Sequence, residues 1–290
     1  MAKKARRARA PAAKAAQKRE SESWISARVF VLLAAIFLVV ESIGLLAAYL
    51  LAVQGAQQPI FGESVNDISN AIYLFSVIML MTVVILLVLH FRKKSHMLWA
   101  IEALAIFATS IVLFGTFMPG WELIIALAIV AWRYTHRESV WFRNLCSGIA
   151  IAGAGSLIGI SIGMLPVLVF ITALAAYDII AVFGTKHMVT IGKSVIKNNY
   201  AFTMAMPTKA HSFELGNGDL VIPLMTASSV LANGPFMNNY LVASICLGAS
   251  FIGLMISIML VAKKKISMPA LPPQTVLMLA VIGAALLLGL

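Results

Sequence analysis

Long apolar runs broken by short polar punctuation dominate the chain. A helix crossing the hydrocarbon core needs about 20 predominantly apolar residues. Runs bounded by charges, Pro, Gly or Asn fall at roughly 28–53, 70–91, 97–117, 119–132, 144–163, 166–184, 219–237, 239–262 and 270–290. The pattern predicts nine transmembrane helices, of which the fourth, held between Pro119 and Arg133, is the shortest. A basic stretch over 1–27 precedes them, and a loop over 185–218 separates helices 1–6 (28–184) from helices 7–9 (219–290). The expected organisation is one membrane domain over 28–290 behind a disordered tail.

Composition removes the soluble alternatives, since 61% of the 290 residues are hydrophobic and only 11% are charged. Charge placement then orients the weave, because Lys and Arg gather on the cytoplasmic side of a membrane. The basic residues fall in the tail through Arg28, at Arg92–Lys94, at Arg133, Arg137 and Arg143, at Lys186, Lys193, Lys197 and Lys209, and at Lys263–Lys265. The alternate loops contain none. An all-α protein with its amino terminus inside and its carboxyl terminus outside is expected. The tail lacks an apolar core, so it does not read as a signal peptide. It reads as a solvated segment that touches anionic lipid. Nucleic acid is not an expected partner, since no aromatic or folded element accompanies the charge.

Four acids fall within or at the rims of these helices: Glu41, Glu102, Asp178 and Asp219. Burying such a group costs about 3 kcal/mol on insertion scales, so each needs a reason. Glu102 is expected to snorkel to the inner interface or to pair with Arg92–Lys94. Glu41, deep in the first helix, reads either as a buried hydrogen-bonding group or as a contact for a proton or substrate. Asp178 precedes Lys186 by eight residues, roughly 12 Å of helix. Asp219 opens the seventh helix, which starts from the same side. Both carboxyls therefore belong to the inner half of the membrane, on consecutive helices that readily become neighbours.

Two carboxyls in contact in a low dielectric cannot both ionise, so such a pair shares a proton. One member can accept a proton from water while the other polarises a peptide carbonyl. No nucleophilic Ser or Cys is needed. Metal and other cofactors are not expected, since the chain has no HExxH and His90, His96, His136, His187 and His211 fall on loops or inner rims. Gly216 and Gly218, bracketing Asn217, would let a substrate backbone approach or would take up positive φ before the helix. Pro269, Pro272 and Pro273 predict an irregular start to the last helix. Cys146 and Cys246 lack any CxxC spacing and read as buried free thiols. Gly155, Gly159 and Gly163 read as a packing stripe. A proton-coupled secondary transporter using the intramembrane acids is the alternative reading, although the chain shows no self-similar halves.

Tyr177–Asp178, the GNGD of Gly216–Asp219 and the PAL of Pro269–Leu271 resemble the three signatures of the presenilin and signal-peptide-peptidase family of intramembrane aspartyl proteases. Thr185–Met188 strengthens the likeness to archaeal homologues, which favours a plasma membrane. The resemblance implies that Asp178 and Asp219 are the catalytic pair. It implies that Tyr177, Gly216, Asn217, Gly218, Pro269, Ala270 and Leu271 line the substrate site. It also implies that the 185–218 loop orders part of itself as β-strand against an extended substrate. The orientation is presenilin-like, which by analogy favours substrates with the amino terminus outside. Asn217 departs from the small or apolar residue often found there. The loop is short for self-cleavage, so activity without partner subunits is the expectation.

Overall fold

A computed structural model describes residues 27–91, 96–185, 199–207, 212–264 and 268–289. The expectations for the basic tail before Ala27, Arg92–Lys94, His187, His211 and half of the 185–218 loop lie outside the described residues. Helices α1 (Ala27–Val53), α2 (Ser69–Phe91), α3 (His96–Phe117), α4 (Glu122–Thr135), α5 (Val140–Ile160) and α6 (Met164–Ile179) follow in order. A π-helical turn, Ile180–Thr185, extends α6. A hairpin of β1 (Thr203–Pro207) and β2 (Ser212–Gly216) then leads into α7 (Gly218–Asn233), α8 (Asn239–Lys264) and α9 (Leu271–Leu288). Nine α-helices are thus present among the described residues.

Seven of them, α6 counted with its π-helical extension to Phe183, are long and apolar enough to cross a membrane. The exceptions are α4, with 14 residues, and α7, with 16. At 1.5 Å per residue these reach only about 21 and 24 Å. The brevity of α4 follows the sequence pattern. That of α7 does not, because the run expected to 237 stops at Asn233, where Gly234 leaves helical geometry and Pro235 follows. Helix α5 begins earlier than expected, at Val140, with the Ser139 hydroxyl accepting the Phe142 N–H at 3.3 Å as a cap. Arg143, read from the sequence as a loop charge, is therefore inside a helix and buried.

Lipid tails give helices no hydrophobic reason to associate, so close backbone approach and hydrogen bonds must do it. The centre of the bundle obeys this rule, with α1, α5 and α7 packed on one another. Gly44 and Gly155 clasp Leu224 from two sides, and a Cβ at either would collide with its side chain. At Gly159 a Cβ would run into Ser228 Cβ and the Met225 carbonyl. The expected stripe is real for Gly155 and Gly159. Gly163 instead lies beyond α5, where its N–H donates to the Val65 carbonyl at 2.6 Å. Around this centre, α3 and α4 cover α5, α2 and α9 flank α6, and α8 packs on α7 and α9. Gly253 of α8 sits against the α9 backbone, so close that a Cβ there would lie 2.6 Å from Gln274 Cα. Ser250 adds a hydrogen bond to Gln274 Oε1 at 2.8 Å. Cys146 and Cys246 are free and buried.

Candidate active site

Asp219 reaches its place through the hairpin. β1 and β2 pair antiparallel, from Thr203 opposite Gly216 to Pro207 opposite Ser212. The free edge of β1 is met by α5, where the Asn144 side chain donates to the Ala205 carbonyl at 2.7 Å and accepts the Ala205 N–H at 2.9 Å. Beyond β2, Asn217 donates its N–H to the Phe202 carbonyl at 3.1 Å and its Nδ2 to the Ala201 carbonyl at 2.9 Å. The Asn217 carbonyl then accepts the Leu220 and Val221 amides, which starts α7. Asp219 is in that first turn, and four residues later Pro223 lies inside the helix.

Neither Gly216 nor Gly218 has positive φ, contrary to one of the two roles expected of them. Nor is either position crowded among the described residues. Gly216 faces the carboxylate, with a Cβ there 3.4 Å from Asp219 Oδ2. Gly218 is exposed, and a Cβ would meet nothing within 4 Å.

Asp178 is the penultimate residue of α6 and is 6% exposed. Its Oδ2 accepts the Leu271 N–H at 3.3 Å, and the Ala270 amide faces the same carboxyl. The prolines explain the available donors. The first four amides of a helix have no intrahelical acceptor, so Pro272 and Pro273 sit in the first turn of α9 without cost. The irregular start expected there is not seen, since the helix is regular from Leu271. What remains spare at this positive helix end, the Leu271 N–H, is given to Asp178. Pro269 and Leu271 are buried and Ala270 is half-buried. Tyr177 is half-buried, its ring edge-on to Phe75 of α2 at 6.1 Å. Helices α6, α7 and α9, which carry Asp178, Asp219 and the Pro269–Leu271 segment, pack on one another.

The remaining acids behave differently from expectation. Glu102 pairs with Arg133 of α4, Nε to Oε1 at 3.0 Å, and both are almost fully buried. Glu102 therefore does not snorkel to solvent as expected, and its cation among the described residues is one the sequence reading did not name. Arg133 is placed by the last turn of α4, one helix away in space and 31 residues away in sequence. Glu41 is 2% exposed, and neither carboxylate oxygen finds a hydrogen-bond partner among the described residues. The hydrogen-bonding reading of Glu41 therefore lacks its partner.

Sequence reasoning passes over a second ion pair. Arg143 Nη2 reaches both oxygens of Glu214 at 2.9 Å, and Thr203 Oγ1 donates to the same carboxylate at 2.7 Å. Arg143 Nη1 also donates to Asn199 Oδ1 at 2.7 Å. Only the unusual presence of Arg inside an otherwise apolar stretch could have signalled it. A separate cleft of about 360 Å³, lined by Tyr49, Gln57, Ala232 and Tyr240 among others, shares no residue with the Asp178–Asp219 site.

Comparison with known proteins accords with this arrangement. The family profile described as signal-peptide peptidase, presenilin aspartyl protease matches residues 34–283. Two crystal forms of a presenilin-family intramembrane aspartate protease superpose with TM-scores of 0.63 (space group P2) and 0.65 (C222). Each is 24% identical, covering 88% of this chain and 96% or 99% of the other. No curated protein matches the chain significantly. The likeness to the solved structures carries the fold and the profile carries the family: the chain belongs to the signal-peptide peptidase and presenilin family and is an intramembrane aspartyl protease.

Proposed function

We propose that Asp178 and Asp219 are the catalytic pair and that they hydrolyse peptide bonds of transmembrane segments or signal peptides. The observation that supports this most is the packing of α6, α7 and α9 on one another, with Asp178 accepting the Leu271 amide of the Pro269–Leu271 segment and Asp219 lying in the GNGD turn. One ionised carboxyl takes a proton from water as the water oxygen attacks the scissile carbonyl carbon. The other, protonated, donates to the carbonyl oxygen. Collapse of the tetrahedral intermediate transfers a proton to the amide nitrogen and breaks the C–N bond. No covalent enzyme intermediate forms, and neither metal nor cofactor has a step.

A helical substrate shields its peptide bonds and must be extended to be cut. β2 has no second strand partner among the described residues, and its edge offers main-chain donors and acceptors to such a segment. Gly216, Asn217 and Gly218 on one side, and Tyr177, Pro269, Ala270 and Leu271 on the other, are the walls of that site. The basic residues support a cytoplasmic amino terminus, an outside carboxyl terminus and substrates entering with their amino terminus outside. The protein works as one membrane domain, residues 28–290, without partner subunits, in the plasma membrane of an archaeon. The transporter alternative draws no support from the family or the fold.

The test is cleavage of a single-span peptide by the purified chain in detergent. Asp178→Ala and Asp219→Ala each abolish product, and a peptide with a hydroxyl-bearing isostere at the scissile bond blocks the parent enzyme. A variant of either aspartate that cuts at the parent rate would remove the pair from the mechanism.

A further inference from the structure

We propose that Glu102 and Arg133 are positioning residues for Asp219, acting through Ala201 and Asn217. The inference rests on reading Asp219 as catalytic. A continuous set of hydrogen bonds makes the connection. Arg133 Nε donates to Glu102 Oε1 at 3.0 Å, and the same oxygen accepts the Ala201 N–H at 2.9 Å. The Ala201 carbonyl accepts from Asn217 Nδ2 at 2.9 Å and from Ser147 Oγ at 3.1 Å. Asn217 is two residues from Asp219, and its own carbonyl begins α7. One amino acid, held by its amide on one side and by its carbonyl on the other, thus joins the α3–α4 pair to the GNGD turn.

Two further features separate this arrangement from a mere anchor. Asn217 Oδ1 is buried with no partner among the described residues, so the hold seen on that side chain is its Nδ2 bond to Ala201. The direction of the Ala201 carbonyl then orients the Asn217 side chain, while the Phe202 carbonyl holds its backbone amide. Arg133 also gives its Nη2 to the Asn199 carbonyl and its Nη1 to the Arg137 carbonyl at 2.9 Å. The strand that follows Asn199 is therefore registered against the α3–α4 pair at two points, Asn199 and Ala201. A buried ion pair is weak evidence for stability, because well-packed apolar residues often replace one without loss. Here the carboxylate does something an apolar residue cannot, which is to accept a specific backbone amide of the catalytic loop.

The experiment uses the full chain in detergent with a single-span peptide. The double variant Glu102→Leu/Arg133→Leu removes both charges together. Its thermal midpoint is expected to fall, since the Ala201 amide loses its acceptor, while kcat of the folded fraction is lower on the order of 10- to 100-fold and KM little changed. Affinity for a transition-state isostere should weaken by the same factor, which a purely structural role would not produce. Glu102→Asp, which keeps the pair but draws the acceptor back by one methylene, carries the same test should the double variant not accumulate. Its kcat is expected to fall with KM and midpoint held. Parent kcat in a folded variant, or loss only in proportion to the unfolded fraction, would overturn the inference. Asp219→Ala run alongside keeps the two ideas apart. If that variant is dead while the Glu102 variants are fully active, only the positioning role is lost.

Discussion

Asp219 follows a hairpin tied into α3, α4 and α5 by two buried ion pairs and the Asn144 and Asn217 side chains. Asp178 ends a helix in apolar surroundings, and the hydrogen bonds identified at its carboxyl come from the backbone of a neighbouring helix start. Hydrogen bonds fix direction and fail abruptly when one partner goes. Close packing fixes distance and yields by degrees. The two acids of one pair are therefore vulnerable to different kinds of change.

The largest effect should come from the polar side. Arg143→Ala leaves Glu214 buried without its cation and is expected to cost about 3–5 kcal/mol, read as a lower unfolding midpoint in detergent. An unmoved midpoint would mean that the hairpin is held by something else. On the packing side, Gly253→Ala places a methyl 2.6 Å from Gln274 Cα and 2.7 Å from its N, so α9 must shift. The Leu271 amide shifts with it. The expected outcome is a loss of about 1–3 kcal/mol and a fall in cleavage of roughly tenfold. Gly248→Ala on the same helix, with nothing within 4 Å, is the control: it should leave cleavage unchanged and should not lower the midpoint.

Glu41 sharpens the contrast, since it is buried with no hydrogen-bond partner among the described residues. Glu41→Leu should raise the midpoint, by up to about 1–3 kcal/mol, as the desolvation penalty of an unsatisfied group is relieved. A drop would show that the carboxyl has a partner or a task. The smallest effect on folding belongs to Gly218→Ala, whose methyl enters open space. It should change stability by no more than about 1 kcal/mol, in the stabilising direction. Loss of cleavage in that variant, measured against intact folding, would report a clash with substrate.

The helices are legible in the sequence because apolar runs end where lipid ends, and most boundaries fall within a few residues of the pattern. The pattern also places Asp178 near the end of α6 and Asp219 at the start of α7, where the structure has them. The polar contacts beneath them are not legible. Glu102 finds its cation 31 residues away and Arg143 finds Glu214 71 residues away, separations that leave no local trace. Arg143 misleads for a physical reason, since an arginine beside an apolar run is ordinarily a loop charge facing water. Gly216 and Gly218 read partly as conformational devices, but neither takes up positive φ. The irregularity expected from three prolines is absorbed by the one part of a helix that needs no amides.

Pro223 carries a consequence for the chemistry. It sits four residues after Asp219 and has no amide proton, so it cannot serve the Asp219 carbonyl as an ordinary helix residue would. The same residue spacing that opens the seventh helix thus leaves a main-chain oxygen without its usual helical donor next to the acid proposed above to work on water.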